Sequence, residues 1–195
     1  MSRDNEDPVL ASVETYNNDP HGYREKYRQH KLDLPERFNS LLAPNSDVLD
    51  IGCGPGRDLD FFASCGHQVV GIELNSSFYD MCSSKHKVVN GDMRELTTFF
   101  SPQTFDGIWT QASLVHLSTD EVEAVIADCV TLLRAGGLFY ASLPSSGATG
   151  WRDEPDGRRW YTVWPDETIT TPLHNAGFTV FDISSGPYVE VWARK

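Results

Sequence analysis

Val48-Leu49-Asp50-Ile51-Gly52-Cys53-Gly54-Pro55-Gly56-Arg57-Asp58 is the stretch that decides the fold of this 195-residue chain. A short apolar run stops at glycines, as a buried parallel strand does at the edge of its sheet. Leu59, Phe61, Phe62 and Ala63 follow at helical spacing, and Gly66 supplies the stop. A strand that turns through glycines into a helix lets backbone approach a ligand closely, at φ values other residues resist. In an open α/β sheet the ligand sits at such a strand end. The dinucleotide fingerprint GxGxxG is not met. Gly52 and Gly54 fit, but Arg57 stands at the third position. Asp50, just before the loop, would repel a pyrophosphate and suits a ligand that carries a cation or an ammonium group.

Outward from this loop, strands and helices alternate. Strands are expected at Gln68 to Ile72, Val88-Val89, Phe105 to Thr110 and Leu138 to Leu143. Helices are expected from Asn75 to Ser84 and from Thr119 onward, where Val122, Val125, Ile126, Val130 and Leu133 share a face. Pro165 to Asn175 reads as a helix stopped by Gly177, and 178–183 and 188–192 as an antiparallel hairpin. Upstream, Asn17 to Pro20 breaks two helices, and a short helix covers Leu34 to Leu42. The first dozen residues read as frayed, and Pro144 to Tyr161 as a long loop without period. The pattern is an α/β open sheet with a mostly parallel core.

Two further acidic positions follow strand ends. Glu73 lies about 20 residues past the glycines, where a carboxylate can take both hydroxyls of a ribose. Asp92-Met93 follows the third strand. Its carboxylate could take an exocyclic amine of adenine, with the methionine against the ring.

Composition excludes several classes. The 16 Lys and Arg against 28 Asp and Glu give a net charge of -12, which disfavours duplex DNA or RNA and anionic lipid as partners. No stretch approaches the roughly 20 apolar residues of a membrane span, and MSRDNEDP is not a signal peptide. Cys53, Cys65, Cys82 and Cys129 form no CxxC pair and read as thiols in a reducing, cytosolic compartment. The six histidines show no metal-ligand spacing.

VLDIGCGPGRD, VVGIELNSS, GDM, FDGIWTQASLVHL and LLRAGGLFYASLP, in this order, resemble the class I S-adenosylmethionine-dependent methyltransferases, over about residues 46–143. The resemblance implies a Rossmann-like three-layer sandwich. Its seven-stranded sheet would have order 3-2-1-4-5-7-6, with strand seven antiparallel. It implies S-adenosyl-L-methionine as cofactor. Gly52, Gly54 and Gly56 would line its methionine side, Glu73 and Leu74 its ribose, and Asp92 and Met93 its adenine, with Gln111 nearby. Two departures stand out: Glu73 in place of the commoner Asp, and Asn75 where Ser is often seen. The N-terminal region is similar to the family's small-molecule subgroup, so residues 1–45 are expected as a helical cap and 46–195 as the methyltransferase domain. Tyr16, Tyr23 or Arg28 could then meet the cofactor's carboxylate or sulfonium.

Methyl transfer from a sulfonium is an in-line displacement that needs mainly alignment. His116, beyond the fourth strand, is the candidate base where the acceptor must lose a proton. Trp109-Thr110-Gln111-Ala112 is not the motif of DNA amino methylation, and no Pro-Cys nucleophile stands there. The expected acceptor is therefore a small molecule. Arg152, Arg158 and Arg159 in the 145–164 segment suggest that it carries a carboxylate. Three other readings are a protein or RNA methyltransferase, a non-catalytic cofactor-binding protein, and a nicotinamide reductase, the last disfavoured by Asp50. The sequence sets no oligomeric state.

Overall fold

In the computed structural model, which describes residues 7–28, 30–165 and 168–195, the strands fall into two sheets. The larger holds β1 (Asp47–Ile51), β2 (Gln68–Glu73), β3 (Lys87–Asn90), β4 (Phe105–Gln111), β5 (Leu133–Pro144), β8 (Thr179–Ser184) and β9 (Tyr188–Arg194). The smaller is a hairpin of β6 (Gly150–Glu154) and β7 (Gly157–Tyr161). The large sheet runs β3-β2-β1-β4-β5-β9-β8. Strands β1 to β5 pair in parallel, and β9 is antiparallel to both its neighbours. Numbered within their own sheet, the strands follow 3-2-1-4-5-7-6, the order the resemblance implied.

Alternation along each central strand loads both faces, so the sheet is buried on both. Leu49 and Ile51, Ile108, and Phe139 and Ala141 point to one side. There they meet α7 (Thr119–Leu132) through Val122, Val125, Ile126 and Cys129, and α8 (Thr170–Ala176) through Leu173. Val48, Trp109, Leu138, Tyr140 and Trp192 point to the other side, against α3 (Asp33–Ser40) and α4 (Arg57–Ser64) through Leu34, Phe38 and Phe62. Cys82 of α5 (Ser76–Ser83) joins that layer against Leu59 and Cys53. Trp109 stacks on Tyr140 at 4.2 Å between ring centres. The short α6 (Leu96–Phe99) packs beside α7, with Leu96 in the same core cluster.

Three expectations are corrected. Of the first dozen residues, expected as frayed, 1–6 lie outside the described residues and 8–12 are helical. Residues 8–15 form helix α1, capped by Asp7, whose Oδ1 accepts from the Val9 amide at 2.8 Å, with Pro8 in the first turn. Its buried residues, Val9 and Ser12, hold it to the body. The expected loop 144–161 contains the β6–β7 hairpin, whose turn is Glu154-Pro155-Asp156-Gly157. The last helix begins at Thr170, not Pro165; Asp166 and Glu167 lie outside the described residues. Among the described residues of the first 45, α1, α2 (Pro20–Tyr27), Tyr16 between them and His30 to Leu32 border the two compartments, whereas α3 is built into a layer of the sandwich. Among the described residues no helix is long and apolar enough to cross a membrane.

Candidate functional site

Strand order reverses between β1 and β4, so the loops at their carboxyl ends diverge and leave a crevice. The glycine loop forms one wall. Gly52 (φ +66) and Gly54 (φ +53) both adopt left-handed backbone. A Cβ on Gly52 would lie 2.4 Å from the Cβ of Ser113, whereas one on Gly54 would meet nothing within 4 Å. Gly52 therefore lets the loops after β1 and β4 pack together, and Gly54 presents bare backbone to open space. Gly56 does not line the crevice. It starts α4 and lies against Cys82, where a Cβ would approach the Cys82 Cβ to 2.8 Å.

Two compartments open here. The larger, about 810 Å³, is bounded by Asp50, Gly54, Arg57, Gln111, Ser142 and the tyrosines 23, 27, 161 and 188. The smaller, about 70 Å³, is bounded by Glu73, Leu74, Asp92, Met93, Ser113 and His116. Tyr16, Tyr23, Gly52, Gly54 and Ala112 wall both. The larger compartment is basic although the chain is acidic. Arg24, Arg28, Lys31, Arg57, Lys85, Arg152 and Arg159 line it, against Glu25, Asp50, Asp58, Asp60 and Glu154.

The carboxylates differ in what they already hold. Glu73 is 7% exposed; its Oε2 accepts from the Gly54 amide at 2.8 Å and its Oε1 from the Asn75 amide at 2.7 Å. Burial pushes its pKa up, and these amides partly oppose that. A carboxylate has about four acceptor positions, so the group keeps capacity for a further donor. Asp50 is 3% exposed, and its Oδ2 has no hydrogen-bond partner among the described residues. Burial, with Asp58 nearby, holds its pKa well above the usual carboxylate range. An orphaned buried acceptor on the cavity wall fits a bound ammonium group. Asp92 is already paired: Arg94 donates to it from its amide at 2.9 Å and from its guanidinium at 2.9 and 2.6 Å. Arg94 also reaches Asp7 and Glu121. Arg28 stands exposed at the rim, 3.9 Å from Glu25.

The N-terminal segment and the hairpin form one roof. The Trp160 amide donates to Ser12 Oγ at 2.8 Å, Arg159 Nε to Thr15 Oγ1 at 2.8 Å, and Asn18 Nδ2 to the Asp156 carbonyl at 2.7 Å. Arg159 lies over the Tyr16 ring at 3.9 Å, and Tyr16 packs edge-on to Tyr23. His116 sits beneath, 6% exposed. Its Nδ1 bonds the Trp160 carbonyl, which can only accept, so Nδ1 carries the proton and Nε2 accepts from the Tyr16 hydroxyl at 2.9 Å. Burial pushes its pKa down to about 4. Both nitrogens of the expected base are thus engaged, and it borders the smaller compartment.

Sequence reasoning missed the role of Arg57 and the β6–β7 hairpin that carries Arg159 and Tyr161. Arg57 ties its own helix α4 to β4 and to the end of α2: it pairs with Asp58 at 2.7 and 2.8 Å and donates to Gln111 Oε1 at 2.5 Å, to the His30 carbonyl at 2.8 Å and to the Tyr27 carbonyl at 3.2 Å. The displaced third glycine was its signal. For the hairpin the signal was Pro155-Asp156-Gly157, a turn sequence between two tryptophans.

Comparison with known proteins agrees with this geometry. Residues 48–137 match the family model described as a methyltransferase domain. The chain is 29% identical over 131 residues to a sterol 24-C-methyltransferase of Candida albicans, covering 60% of this chain and 32% of that protein. It is 30% identical over 161 residues to a bovine 18S rRNA (guanine-N(7))-methyltransferase, covering 76% and 53%. The chain thus spans about a third of the length of the sterol relatives it matches. Among solved structures, a Burkholderia thailandensis 1,6-didemethyltoxoflavin-N1-methyltransferase with bound S-adenosylhomocysteine superposes with TM-score 0.74 at 22% identity, covering all of this chain and 92% of that one.

Proposed function

The chain belongs to the class I S-adenosylmethionine-dependent methyltransferases, and we propose that it methylates a small molecule held in the larger compartment. The observation that carries this reading is that compartment, about 810 Å³ beside the glycine loop, which reaches from Asp50, suited to the cofactor's ammonium group, to Arg152, Tyr161 and Tyr188, where an acceptor would sit beside the cofactor. Small-molecule sites usually measure about 300–1,000 Å³. A sterol, an rRNA guanine and a toxoflavin precursor are named for the relatives, so kinship alone does not choose the acceptor class. The net charge of -12 opposes a polyanionic RNA.

In this reading Asp50 holds the cofactor's ammonium group, Glu73 and Leu74 border its ribose, and Met93 and Asp92 border its adenine. Gly52 and Gly54 admit its backbone-side approach. When bound, S-adenosylmethionine supplies an activated methyl group on a sulfonium. The residues of this chain align and enclose. Tyr16 and Tyr23 present ring faces suited to a cation, Arg57 fixes the loop against β4, and the roof limits water. His116 can accept a proton only when the Tyr16 hydroxyl moves off Nε2; with Tyr16 in place it positions that tyrosine. Residues 1–45 act as the cap through α1 and α2. The four unpaired cysteines suit a cytosolic setting.

Calorimetric titration with S-adenosylhomocysteine, with NAD as control, tests the cofactor. One-to-one binding of the first and none of the second is expected. Binding of NAD alone would overturn the reading. Turnover is then read as S-adenosylhomocysteine formed with small-acceptor pools, against RNA and protein fractions.

A further inference from the structure

The β6–β7 hairpin alternates its side chains between two faces. Trp151, Asp153, Arg158 and Trp160 share one: the tryptophans pack edge-on at 5.9 Å, and Arg158 covers Trp151 at 5.2 Å. Arg152, Glu154, Arg159 and Tyr161 share the other, and all four line the larger compartment. Arg152 and Arg159 are direct cross-strand partners. Like charges placed opposite each other destabilise a strand pair unless something neutralises them.

Among the described residues, only Arg159 of the two is paired with a carboxylate. Arg159 is 5% exposed and is paired with Asp156, bonded to Thr15 and laid on Tyr16. Arg152 makes no ion pair among the described residues. It donates to the Ala148 carbonyl at 3.2 Å and lies over the Tyr161 ring at 4.9 Å. The neighbouring Glu154 instead accepts from the Tyr161 hydroxyl at 3.4 Å. Arg152 therefore keeps N–H donors and its charge at a compartment that tyrosines 27, 161 and 188 also line, with Glu154, on the same hairpin face, held by the Tyr161 hydroxyl. A planar guanidinium is well matched to a two-oxygen anion, and its stacking on Tyr161 pre-orients it.

We propose that Arg152, backed by Arg159, binds an anionic group, a carboxylate or a phosphate, on an aromatic acceptor, and that Arg152 sets the preference for charge. The proposal rests on the methyltransferase reading for calling this ligand an acceptor. The anion site itself does not depend on that reading.

The test titrates the purified protein with benzoate, phenyl phosphate and benzamide, followed by NMR, both with and without saturating S-adenosylhomocysteine. At least one acid is expected to bind about fivefold or more tighter than benzamide; which acid does so separates carboxylate from phosphate. Arg152→Gln should bring that preference within about twofold, while Arg158→Gln, on the opposite face, should keep it. Arg152→Lys, with the charge but not the fork, should fall between and carries the test if Arg152→Gln does not fold. S-adenosylhomocysteine affinity should be unchanged in all three variants. Equal binding of acids and amide by wild type, or a preference that survives Arg152→Gln, would overturn the proposal. Failure to bind S-adenosylhomocysteine counts against the methyltransferase reading and leaves the anion titration readable without it.

Discussion

The hydroxyl of Tyr16 donates to Nε2 of His116 at 2.9 Å, across 100 residues of sequence. The Trp160 carbonyl fixes the opposite nitrogen as the donor. One imidazole thus joins the N-terminal segment, the loop after β4 and the β6–β7 hairpin. It does so only as the neutral Nδ1–H tautomer, because a second proton would displace the Tyr16 hydroxyl from Nε2.

That requirement makes the roof sensitive to acid. The folded pKa near 4 lies below the unfolded value near 6.5. The stability this site contributes is therefore complete above about pH 6.5 and is lost as pH falls toward 4. The loss should reach roughly 3 kcal/mol. Urea unfolding of wild type and His116→Asn between pH 7.5 and 4 measures it as the difference in slope. Parallel curves for the two proteins would show that His116 does not titrate this way.

Asp50→Asn should separate stability from binding. Asn keeps the shape of the side chain without the carboxyl whose charged form burial and Asp58 disfavour, so the free protein should melt no lower than wild type. S-adenosylhomocysteine affinity should fall by about tenfold or more, because the ammonium loses its ionic partner. A melting temperature that drops, or a Kd left within about twofold, contradicts the role given to Asp50.

Glu73→Ala removes the acceptor for two backbone amides, Gly54 and Asn75. An orphaned buried donor costs about 1–3 kcal/mol, so stability should drop visibly in chemical denaturation. Cofactor affinity should fall more than about tenfold. A Kd within about threefold of wild type would mean that Glu73 only braces the loop.

The two central glycines should fail differently. Gly52→Ala drives a Cβ into Ser113 at 2.4 Å and adds left-handed strain, so its first effect is on stability. Gly54→Ala carries similar strain of about 1–2 kcal/mol, but its Cβ enters open space, so its larger effect should be on S-adenosylhomocysteine binding. Measuring melting temperature and Kd for both variants checks the crossover. The same rank order in both measurements would defeat it.

The sequence by itself determined the sheet and its ligand edge. Apolar runs such as Val48–Ile51 and Phe105–Thr110 are buried on both faces, and that demand is local enough to read without coordinates. Asp50, Glu73 and the glycines follow because each sits at the end of such a run. Only the tertiary structure decided the rest. The hairpin has no apolar run, because one face pairs two tryptophans and the other sets Arg159 against α1 and Arg152 on the cavity wall. That placement makes Arg152, not Arg158, the neighbour of Arg159 at the site, since pairing register rather than chain proximity sets which side chains share a face. The same holds for Asp92, paired with Arg94, and for His116, closed between Tyr16 and Trp160. A side chain's chemistry is written in its identity, but its free valences depend on partners that only the folded chain brings within reach.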